Sequence, residues 1–397
     1  MLVDSVSVFS HKVPLRTPFR TAIREVNDIH DIVIRLNCSD PNQPENVVSG
    51  FGSAPDTVKI TGDSHESIFR AFKDVIRPWL TNRSLDDFSD LIDELYQLPT
   101  IGSNAKAAAD IALHDAVSRY HNKALFEFLR DKHPIANNHR QSSRIPLLET
   151  DYTISVNDIQ QMCIDIDHAL LRNYRCLKIK IGNQPAEDLI RIKKIVQHIH
   201  KAHAAKDLAL RLDVNQGWDA ATTIKIMQTL EANDIHFELI EQPVTAIDYL
   251  GLQAIKANTL TPLMADESAF NLEQVKRLHK MQACDIVNIK LAKTGGLYGA
   301  EKIIEYCRQH SIQCMIGCML EGSIGVAAAA HLAYAHPDVI RFIDLDGPSL
   351  GQYDPIKNAT TFEDANIRLN TTPGLGIQHY EELTPWIEND AKPEVHQ

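Results

Sequence analysis

The sequence predicts an α/β protein with a (β/α)8-type barrel and an α+β N-terminal capping domain that the C-terminal tail completes. Between residues 145 and 355, eight short apolar segments alternate with amphipathic helical stretches. Parallel strands need such helical crossovers, and eight of them favour a closed barrel. An open doubly wound sheet is the alternative, but the Gly-rich phosphate-binding first turn typical of that fold is missing from the sequence.

Residues 1–130 are predicted to form the capping domain. VSVFSHKV and DIVIRLNC alternate apolar and polar residues, as antiparallel strands do. HESIFRAFKDVI, DDFSDLIDELYQL and AKAAADIALHDAVSRY follow, with apolar residues at the i, i+3, i+4 and i+7 positions of amphipathic helices. Residues 356–397 lack a further βα unit, so we expect this segment to return to the capping domain.

Residues 145–355 are predicted to form the catalytic barrel. Its eight strands are LLETDYTISV, LKIKIG, LALRLDVN, FELIEQP, PLMADES, DIVNIKL, QCMIGCML and IRFIDLD. Stretches such as AEDLIRIKKIVQHIH and GAEKIIEYCRQH supply the helices between them.

The composition of the chain limits which molecules it is expected to bind. The 397 residues include 40 Lys and Arg against 52 Asp and Glu, a net charge of −12, which argues against nucleic acids and anionic membranes. No apolar run reaches the ~18–20 residues that cross a bilayer, and the first residues do not resemble a signal peptide. Seven scattered cysteines suit reduced thiols, so a cytoplasmic location is expected. A small-molecule substrate is therefore the expected partner, and a homo-oligomer is left open.

Charged residues stand at the ends of the second to sixth predicted strands. They are Lys178, Lys180, Asp213, Glu241, Asp266, Glu267 and Lys290. From one strand end to the next, Lys180, Asp213, Glu241, Asp266 and Lys290 lie 24 to 33 residues apart, which is about the length of one βα unit. They should therefore ring the C-terminal mouth of the barrel, where the active sites of such barrels lie.

Asp213, Glu241 and Asp266 form a candidate metal site. Three unpaired carboxylates buried together would repel each other, and a hard divalent cation removes that repulsion. Oxygen ligands without His or Cys favour Mg²⁺ over zinc, with one ion per active site. The alternative is a set of salt bridges that caps the barrel.

Lys178, Lys180 and Lys290 are candidate catalytic residues. Lys178 and Lys180 share one face of their strand because side chains alternate with a period of two. Lys290 comes from the sixth strand, across the barrel. A substrate carboxylate on Mg²⁺ would place its α-carbon between these lysines, and nearby cations and burial should lower the pKa of a lysine base. Solvated surface lysines are the alternative, but both segments are otherwise apolar. Lys293 is expected to face elsewhere or to begin the following loop.

KIK, DVNQGW, EQP, ADES and NIKLAKTGG resemble the barrel motifs of the muconate-lactonizing subgroup of the enolase superfamily, and the similarity spans nearly the whole chain. The resemblance implies that Lys180 and Lys290 are the acid–base pair and that Lys178 stabilises the enolate. It also implies the following metal site: Asp213, Glu241 and Asp266 as ligands, with Asn215 and Glu267 as the polar groups that support them.

The eighth strand ends in Asp344-Leu345-Asp346, and both carboxylates should face the pocket. They suit a cationic substrate group such as an α-ammonium. This DxD resembles the signature of dipeptide epimerases, which hold the amino terminus of the dipeptide there. The alternative is that one Asp pairs with a barrel arginine such as Arg341.

PFRTAIR, ending in Arg24, resembles the mobile loop that covers the barrel mouth in this family. In L-Ala-D/L-Glu epimerases an arginine at the matching place binds the glutamate side chain, although Arg16 or Arg20 could also serve here. ITGDS, ETDYTIS and PGLGI also resemble those epimerases. Many relatives carry Glu in the GxGEA turn, where this chain has Ser53; this departure concerns loop contacts near the substrate.

Other activities stay open at this level. A dipeptide epimerase of broader or hydrophobic specificity, a syn-dehydratase, an o-succinylbenzoate synthase and an N-succinylamino acid racemase share the fold, but the last three need no ammonium site. A Schiff-base aldolase would use one buried lysine and no metal carboxylates. A structural protein that keeps the fold of an enzyme without its activity would not need these candidate catalytic residues.

Overall fold

The N-terminal part of the protein begins with a long antiparallel sheet. The computed structural model describes residues 1–20, 25–131, 147–182, 184–203, 207–380 and 383–385. The first three strands are β1 (Leu2–Arg20), β2 (Glu25–Asp40) and β3 (Gln43–Pro55). The apolar side chains of Ile32, Ile34 and Leu36 alternate along β2 and are buried, as the sequence pattern predicts.

Five helices cover this sheet. They are α1 (His65–Arg70), α2 (Arg77–Leu80), α3 (Phe88–Gln97), α4 (Ser103–Tyr120) and α5 (Leu125–Asp131). Residues 71–76 form a π-helical turn, so the single helix expected from HESIFRAFKDVI is irregular. Helix α4 lies directly on β3, because a Cβ atom added at Gly52 would meet the carbonyl oxygen of Ala108 at 1.9 Å. The two glycines of GFGSA therefore allow the sheet and α4 to approach each other.

A second sheet of eight parallel strands forms the barrel. Its strands are β5 (Tyr152–Ile154), β6 (Cys176–Lys180), β7 (Ala209–Asp213), β8 (Leu239–Glu241), β9 (Leu263–Ala265), β10 (Ile286–Ile289), β11 (Gln313–Gly317) and β12 (Ile340–Asp344). The two ends of the sheet are joined by hydrogen bonds from Asp151 N to Ile343 O (3.4 Å) and from Leu345 N to Thr150 Oγ1 (2.9 Å). The predicted fold class is confirmed.

Helices follow the strands in chain order. They are α6 (Ile159–Leu171), α7 (Pro185–His203), α8 (Ala220–Glu231), α9 (Tyr249–Asn258), α10 (Leu272–Lys280), α11 (Leu291–Thr294), α12 (Leu297–Gln309), α13 (Ser323–Ala335) and α14 (Gly347–Leu350). Side-chain N-caps begin four of them: Asp158, Asp219, Asp248 and Asn271 each accept a hydrogen bond from a backbone N–H in the first helical turn. None of the helices in the described ranges has the length and apolar character needed to span a membrane.

The first predicted barrel strand is divided in the structure, which corrects the expectation for LLETDYTISV. Its first part, β4 (Leu147–Glu149), pairs antiparallel with a C-terminal strand, and only β5 joins the barrel. The break lies at Thr150 and Asp151. The buried Asp151 carboxylate contacts Arg211 Nη1 at 2.6 Å, so this residue serves an ion pair inside the barrel rather than a continuous strand.

The C-terminal segment returns to the rest of the chain through short strands. They are β13 (Ile356–Lys357), β14 (Thr360–Glu363), β15 (Asn366–Leu369), β16 (His379–Tyr380) and β17 (Thr384–Pro385). Strand β15 pairs with β4, and β17 adds a fourth strand to the N-terminal sheet beside β1. Tyr380 Oη accepts a hydrogen bond from Arg35 on β2 at 2.7 Å. The tail therefore completes the N-terminal sheet, as expected.

Candidate active site at the barrel mouth

A cavity of about 60 Å³ lies at the C-terminal ends of the barrel strands. Charged side chains predicted from the sequence line it: Lys178, Lys180, Lys290, Asp266, Asp344 and Asp346. All six are buried, with exposed fractions of 8% or less. The structure therefore brings candidate residues from four different strand ends, those of β6, β9, β10 and β12, into one enclosed polar site.

Strand register explains why these side chains meet. Lys180 on β6 is the direct partner of Asp213 on β7, and Asp213 is the partner of Glu241 on β8. Glu241 pairs with Met264 on β9, so Asp266 projects two residues beyond the same level. Because side chains alternate along a strand, residues at this level and two positions away share the inward face.

Lys178 is the most enclosed of the cavity lysines. Its Nζ lies 2.7 Å from Glu241 Oε2, 2.7 Å from Asp344 Oδ2 and 3.3 Å from Asp213 Oδ2. Burial favours the neutral amine, but these three carboxylates outweigh burial and raise the pKa of Lys178 well above its usual value. Lys178 is therefore a fixed cation at the base of the cavity.

Lys180 projects toward the open side of the same strand face. Its Nζ lies 2.6 Å from Asp213 Oδ2 and 3.2 Å from Asn215 Oδ1. The ring centroid of Phe19, from the end of β1, is 5.8 Å away. An apolar ring beside an ammonium group limits its access to water.

Lys290 lies across the barrel on the residue that follows β10. Its Nζ contacts Asp266 Oδ2 at 2.7 Å. Burial lowers the pKa of Lys290, but the Asp266 and Glu241 carboxylates outweigh burial and raise it above the usual value. This differs from the lowered lysine pKa expected from the sequence, because the carboxylates contact the ammonium group directly.

Lys293 was expected to face elsewhere, but it belongs to this network. Helix α11 begins directly after Lys290 and turns the chain back, so Lys293 Nζ contacts the Asp266 carboxylate and donates to the carbonyl oxygens of Asp266 (2.7 Å) and Asn288 (2.9 Å). Burial is the main cause of a lowered pKa for Lys293. The available signal was the short spacing in NIKLAKTGG, since a helix that begins directly after Lys290 keeps Lys293 in its first turn, close to the end of β10.

Asn288 is a second site residue that sequence reasoning missed. It is fully buried, and its Nδ2 donates to Glu241 Oε1 at 2.8 Å. It lies two residues before Lys290 and therefore on the same strand face, which was the available signal. The amide fixes the orientation of the Glu241 carboxylate.

The buried charges at the mouth do not balance among the described residues. Six carboxylates face four lysines: Asp213, Glu241, Asp266, Glu267, Asp344 and Asp346 against Lys178, Lys180, Lys290 and Lys293. With all ten groups ionised, the excess would be two negative charges. Burial and the nearby Asp213 raise the pKa of Glu241 to about 7, and burial and Asp266 raise that of Glu267 to about 8, as expected where negative charge is in excess.

A divalent cation fits this donor set. In the described ranges no three His, Cys, Asp or Glu side chains are arranged to hold a metal, and lysines contact the predicted ligands as in the salt-bridge alternative. However, the buried Glu267 Oε2 and Asn288 Oδ1 find no hydrogen-bond partner among the described residues. Carboxylate and amide oxygens with two excess charges suit a hard divalent ion.

Asp344 and Asp346 both line the cavity at the end of β12. Asp344 contacts Lys178, whereas Asp346 Oδ2 accepts a hydrogen bond from Thr153 N at 2.8 Å. Burial, followed by the charge of Asp344, raises the pKa of Asp346 to about 6. Arg341 is exposed and donates to Pro337 O, so the alternative pairing with this arginine is not found.

The rim of the cavity is apolar. Phe19, Ile60, Leu320 and Leu350 line its outer part. Arg24 lies outside the described residues. Arg20 Nε forms an ion pair with Glu25 at 2.7 Å, and Arg16 Nη2 contacts Gln352 O at 3.4 Å. Neither of these arginines lines the cavity.

Ser53, where many relatives carry Glu, lies away from the cavity lining. It is on β3 opposite Val33 and is 2% exposed. A Cβ atom added at Gly325 on α13 would lie 3.5 Å from Ser53 Oγ. The residue therefore lies between the N-terminal sheet and a barrel helix.

Two family models match the chain. The model described as mandelate racemase / muconate lactonizing enzyme, N-terminal domain, matches residues 3–129, and the model described as enolase C-terminal domain-like matches residues 164–383. The second match alone spans more than half of the 397 residues.

Similar proteins include characterised epimerases. The L-Ala-D/L-Glu epimerase of Clostridium acetobutylicum is 37% identical over 381 residues, which cover 95% of this chain and 99% of the relative. The substrate-liganded structure of the L-Ala-D/L-Glu epimerase from Bacillus subtilis has a TM-score of 0.87 at 33% identity and covers 96% of this chain and 100% of that chain. A dipeptide epimerase from Enterococcus faecalis, complexed with Mg and L-Leu-L-Tyr, has a TM-score of 0.84 at 28% identity, with coverage of 96% and 100%.

Proposed function

Since this chain belongs to the enolase superfamily, we propose that it is an isomerase of the dipeptide epimerase kind that inverts the α-carbon of the C-terminal residue. One observation carries the proposal. Lys180 and Lys290 line one enclosed cavity from β6 and from the end of β10, which are four strands apart in a barrel of eight. Two amines on opposite walls of a narrow site suit a reaction in which one removes a proton and the other returns it.

In this proposal the two lysines exchange roles with the direction of the reaction. For one epimer Lys180 takes the α-proton as a neutral amine and Lys290 donates a proton to the opposite face. For the other epimer the roles are reversed. Lys178, held by Glu241 and Asp344, remains a cation and stabilises the enediolate that forms between the two transfers.

The carboxylates Asp213, Glu241 and Asp266 would hold one Mg²⁺ ion, with Asn215 and Glu267 beside them. The ion supplies Lewis-acid stabilisation of the negative charge that develops on the substrate carboxylate. Asn288 keeps the Glu241 carboxylate oriented through its 2.8 Å hydrogen bond. Lys293 fixes Asp266 through its side chain and its carbonyl oxygen.

The ammonium group of the dipeptide would bind at Asp346 and Asp344. Asp346 is buried and receives one backbone N–H from Thr153, so a cation at this position would lower the cost of its negative charge. An acyl group in place of the free amine would bring no such charge. This feature favours a dipeptide over the N-succinylamino acids and o-succinylbenzoate precursors used by other members of the fold.

We further propose L-Ala-D/L-Glu as the substrate pair, with Arg24 binding the glutamate side chain. The relative of Clostridium acetobutylicum and the structure from Bacillus subtilis support this choice, since both are L-Ala-D/L-Glu epimerases. The guanidinium group of Arg24 would bind the carboxylate in a bidentate manner.

A dipeptide epimerase of hydrophobic specificity is the second candidate. The apolar rim formed by Phe19, Ile60, Leu320 and Leu350 favours it, because such a rim would accept an apolar side chain. The Enterococcus faecalis structure with L-Leu-L-Tyr shows that a similar chain binds such a dipeptide.

A dipeptide library tests both candidates. Each dipeptide is incubated with the enzyme and Mg²⁺ in D₂O, and deuterium at the C-terminal α-carbon is measured by NMR or mass spectrometry. We expect exchange and epimerisation to be fastest with L-Ala-L-Glu. Faster reaction with L-Leu or L-Tyr at the second position would favour the hydrophobic candidate, and reaction of N-succinylamino acids alone would overturn the dipeptide assignment.

A further inference from the structure

The turn between α11 and α12, which follows Lys290, is held by a carboxylate from the N-terminal part of the chain. Asp110 on α4 is buried, and its Oδ1 accepts a hydrogen bond from Leu297 N at 2.7 Å. Its Oδ2 faces Tyr298 N at 3.3 Å. Leu297 and Tyr298 are the first two residues of α12. Asp110 therefore caps a barrel helix from outside the barrel, where the helix dipole favours a negative charge.

The chain fits closely around this cap. Gly296 precedes α12 with φ of +107°, and a Cβ atom added there would lie 2.5 Å from the Cβ, Cγ and Oδ1 atoms of Asp110. Any other residue would displace either the backbone or the carboxylate. On the other side of Asp110, His114 Nδ1 lies 3.3 Å from Oδ1. The position of Asp110 thus fixes the position of the turn before α12.

That turn is connected to Lys290 by consecutive short contacts. Gly296 N donates to Leu291 O at 2.9 Å, and Gly296 O accepts from Thr294 Oγ1 at 2.8 Å. The carbonyl oxygen of Lys290 accepts from the N–H groups of Lys293 (2.9 Å) and Thr294 (3.1 Å). The five residues from Lys290 to Thr294 are therefore hydrogen-bonded to one another and to the turn that Asp110 holds.

Side-chain contacts also connect α11 to Lys290. Lys293 Nζ contacts Asp266 and the Asn288 carbonyl oxygen, and Asp266 Oδ2 lies 2.7 Å from Lys290 Nζ. A displacement of α11 would shift Lys293 and, through Asp266, the amine of Lys290. Lys180 is placed differently, since it lies within β6 and is held by its pairing with β7. The path of contacts from Asp110 to Lys290 is therefore short. Lys180 is reached only by a longer path, through Asn288, Glu241, Lys178 and Asp213.

We propose that Asp110 is a positioning residue that sets the place of Lys290 for its half of the reaction. The inference rests on the proposed two-lysine function. Since a catalytic group displaced by about 1 Å can lose on the order of 10²-fold in rate, removing Asp110 should slow the steps of Lys290 far more than those of Lys180. Epimerisation needs both lysines, whereas exchange of the α-proton needs only the lysine that faces it.

The experiment compares deuterium exchange into the two epimers of one dipeptide. The variants Lys180→Ala and Lys290→Ala first assign each epimer to its lysine. In Asp110→Ala, exchange of the epimer assigned to Lys290 should fall on the order of 10- to 100-fold relative to the other epimer. Gly296→Ala should change the ratio in the same direction. Asp110→Asn, which keeps the side-chain size, replaces the alanine variant if that variant does not fold.

Asp115→Ala is the matched control. Asp115 lies on the same helix, is fully buried, and accepts hydrogen bonds from Phe51 N (2.8 Å) and Leu375 N (2.7 Å). Its loss removes two backbone hydrogen bonds, as the loss of Asp110 does, and also the ion pair with Arg119 (3.0 Å), but in segments that do not lead to Lys290. We expect both epimers to be affected by the same factor. The positioning role would be overturned if Asp110→Ala slowed exchange of both epimers by the same factor. It would also be overturned if Asp115→Ala slowed one epimer more than the other.

A second measurement does not depend on activity. Brief acetylation with acetic anhydride, read by peptide mass spectrometry, compares the reactivity of Lys290 with that of Lys180 in the folded protein. The ratio of Lys290 acetylation to Lys180 acetylation should rise in Asp110→Ala and stay unchanged in Asp115→Ala. If the native enzyme exchanges neither epimer of any dipeptide, the proposed function fails, and the acetylation ratio alone decides whether Asp110 positions Lys290.

Discussion

The carboxylate of Asp31 on the N-terminal sheet accepts a hydrogen bond from the backbone N–H of Gly322, which follows the barrel strand β11, at 2.8 Å. The preceding residue, Glu321, is also buried, and its Oε1 accepts a hydrogen bond from Met319 N at 2.9 Å. Burial raises the pKa of Asp31 to about 7. Burial and the charge of Asp31 raise that of Glu321 to about 8. Two carboxyl groups that resist ionisation thus lie where the N-terminal sheet contacts the barrel.

This pair predicts a loss of stability on the alkaline side. Between the unfolded pKa of about 4 and the folded values of about 7 and 8, the folded state binds more protons than the unfolded state. The free energy of unfolding should therefore fall as pH rises through this window, by up to about 1.4 kcal/mol per pH unit for each group. Glu321→Gln should flatten the fall measured by urea denaturation between pH 5 and pH 8.5. The other carboxyl groups titrate alike in the native chain and in Glu321→Gln, so any difference in slope comes from Glu321. If the free energy of unfolding falls with pH equally steeply in both, the pKa assigned to Glu321 is wrong.

The three predicted metal ligands should be essential for activity but not for folding. Asp213→Asn, Glu241→Gln and Asp266→Asn each remove a charge from the proposed Mg²⁺ site, and the loss of metal stabilisation should lower kcat/KM on the order of 10³-fold or more. Thermal unfolding followed by circular dichroism checks that each variant is folded. Chelation of the native enzyme should abolish activity and added Mg²⁺ should restore it; full activity after chelation would exclude the metal role.

The two lysines should divide the reaction by stereochemistry. Lys180→Ala should abolish epimerisation, while exchange of deuterium into one epimer continues through Lys290. Lys290→Ala should leave exchange of the opposite epimer only. Proton NMR in D₂O with each epimer separately gives both rates. Interconversion of the epimers at the native rate by either variant would disprove the two-base mechanism.

The sequence predicted the barrel and its charged mouth because both depend on local regularities. Apolar strands recur at nearly equal spacing, and Lys180, Asp213 and Glu241 stand at equivalent places that the register then aligns. The division of the first strand could not be predicted, because it depends on the contact of Asp151 with Arg211, 60 residues away. Lys293 was missed for a related reason, since its contact with Asp266 depends on α11, which turns the chain back directly after Lys290.

The free amino group of the substrate should matter as much as its carboxylate. N-acetylation of L-Ala-L-Glu removes the positive charge proposed to bind Asp346 and Asp344, and it leaves the buried Asp346 carboxylate facing a neutral group. A buried charge without its partner costs about 1–3 kcal/mol or more, so kcat/KM should fall by about 100-fold. Steady-state kinetics with the free and the acetylated dipeptide measure the ratio. Equal rates would favour an N-acylamino acid racemase.

Arg24 should determine the preference for the side chain of the second residue. With the C-terminal carboxylate at the metal ligands and the ammonium at Asp346, the glutamate side chain is left to extend toward the apolar rim and, in this proposal, to meet Arg24. A charged hydrogen bond there is worth about 1.5–3 kcal/mol, so Arg24→Met should lower kcat/KM for L-Ala-L-Glu by about 10- to 150-fold and spare L-Ala-L-Leu. Arg16→Met is the matched control, because Arg16 contacts Gln352 O and does not line the cavity. An equal loss for both dipeptides would remove the glutamate assignment, and the apolar rim would then define the preferred side chain.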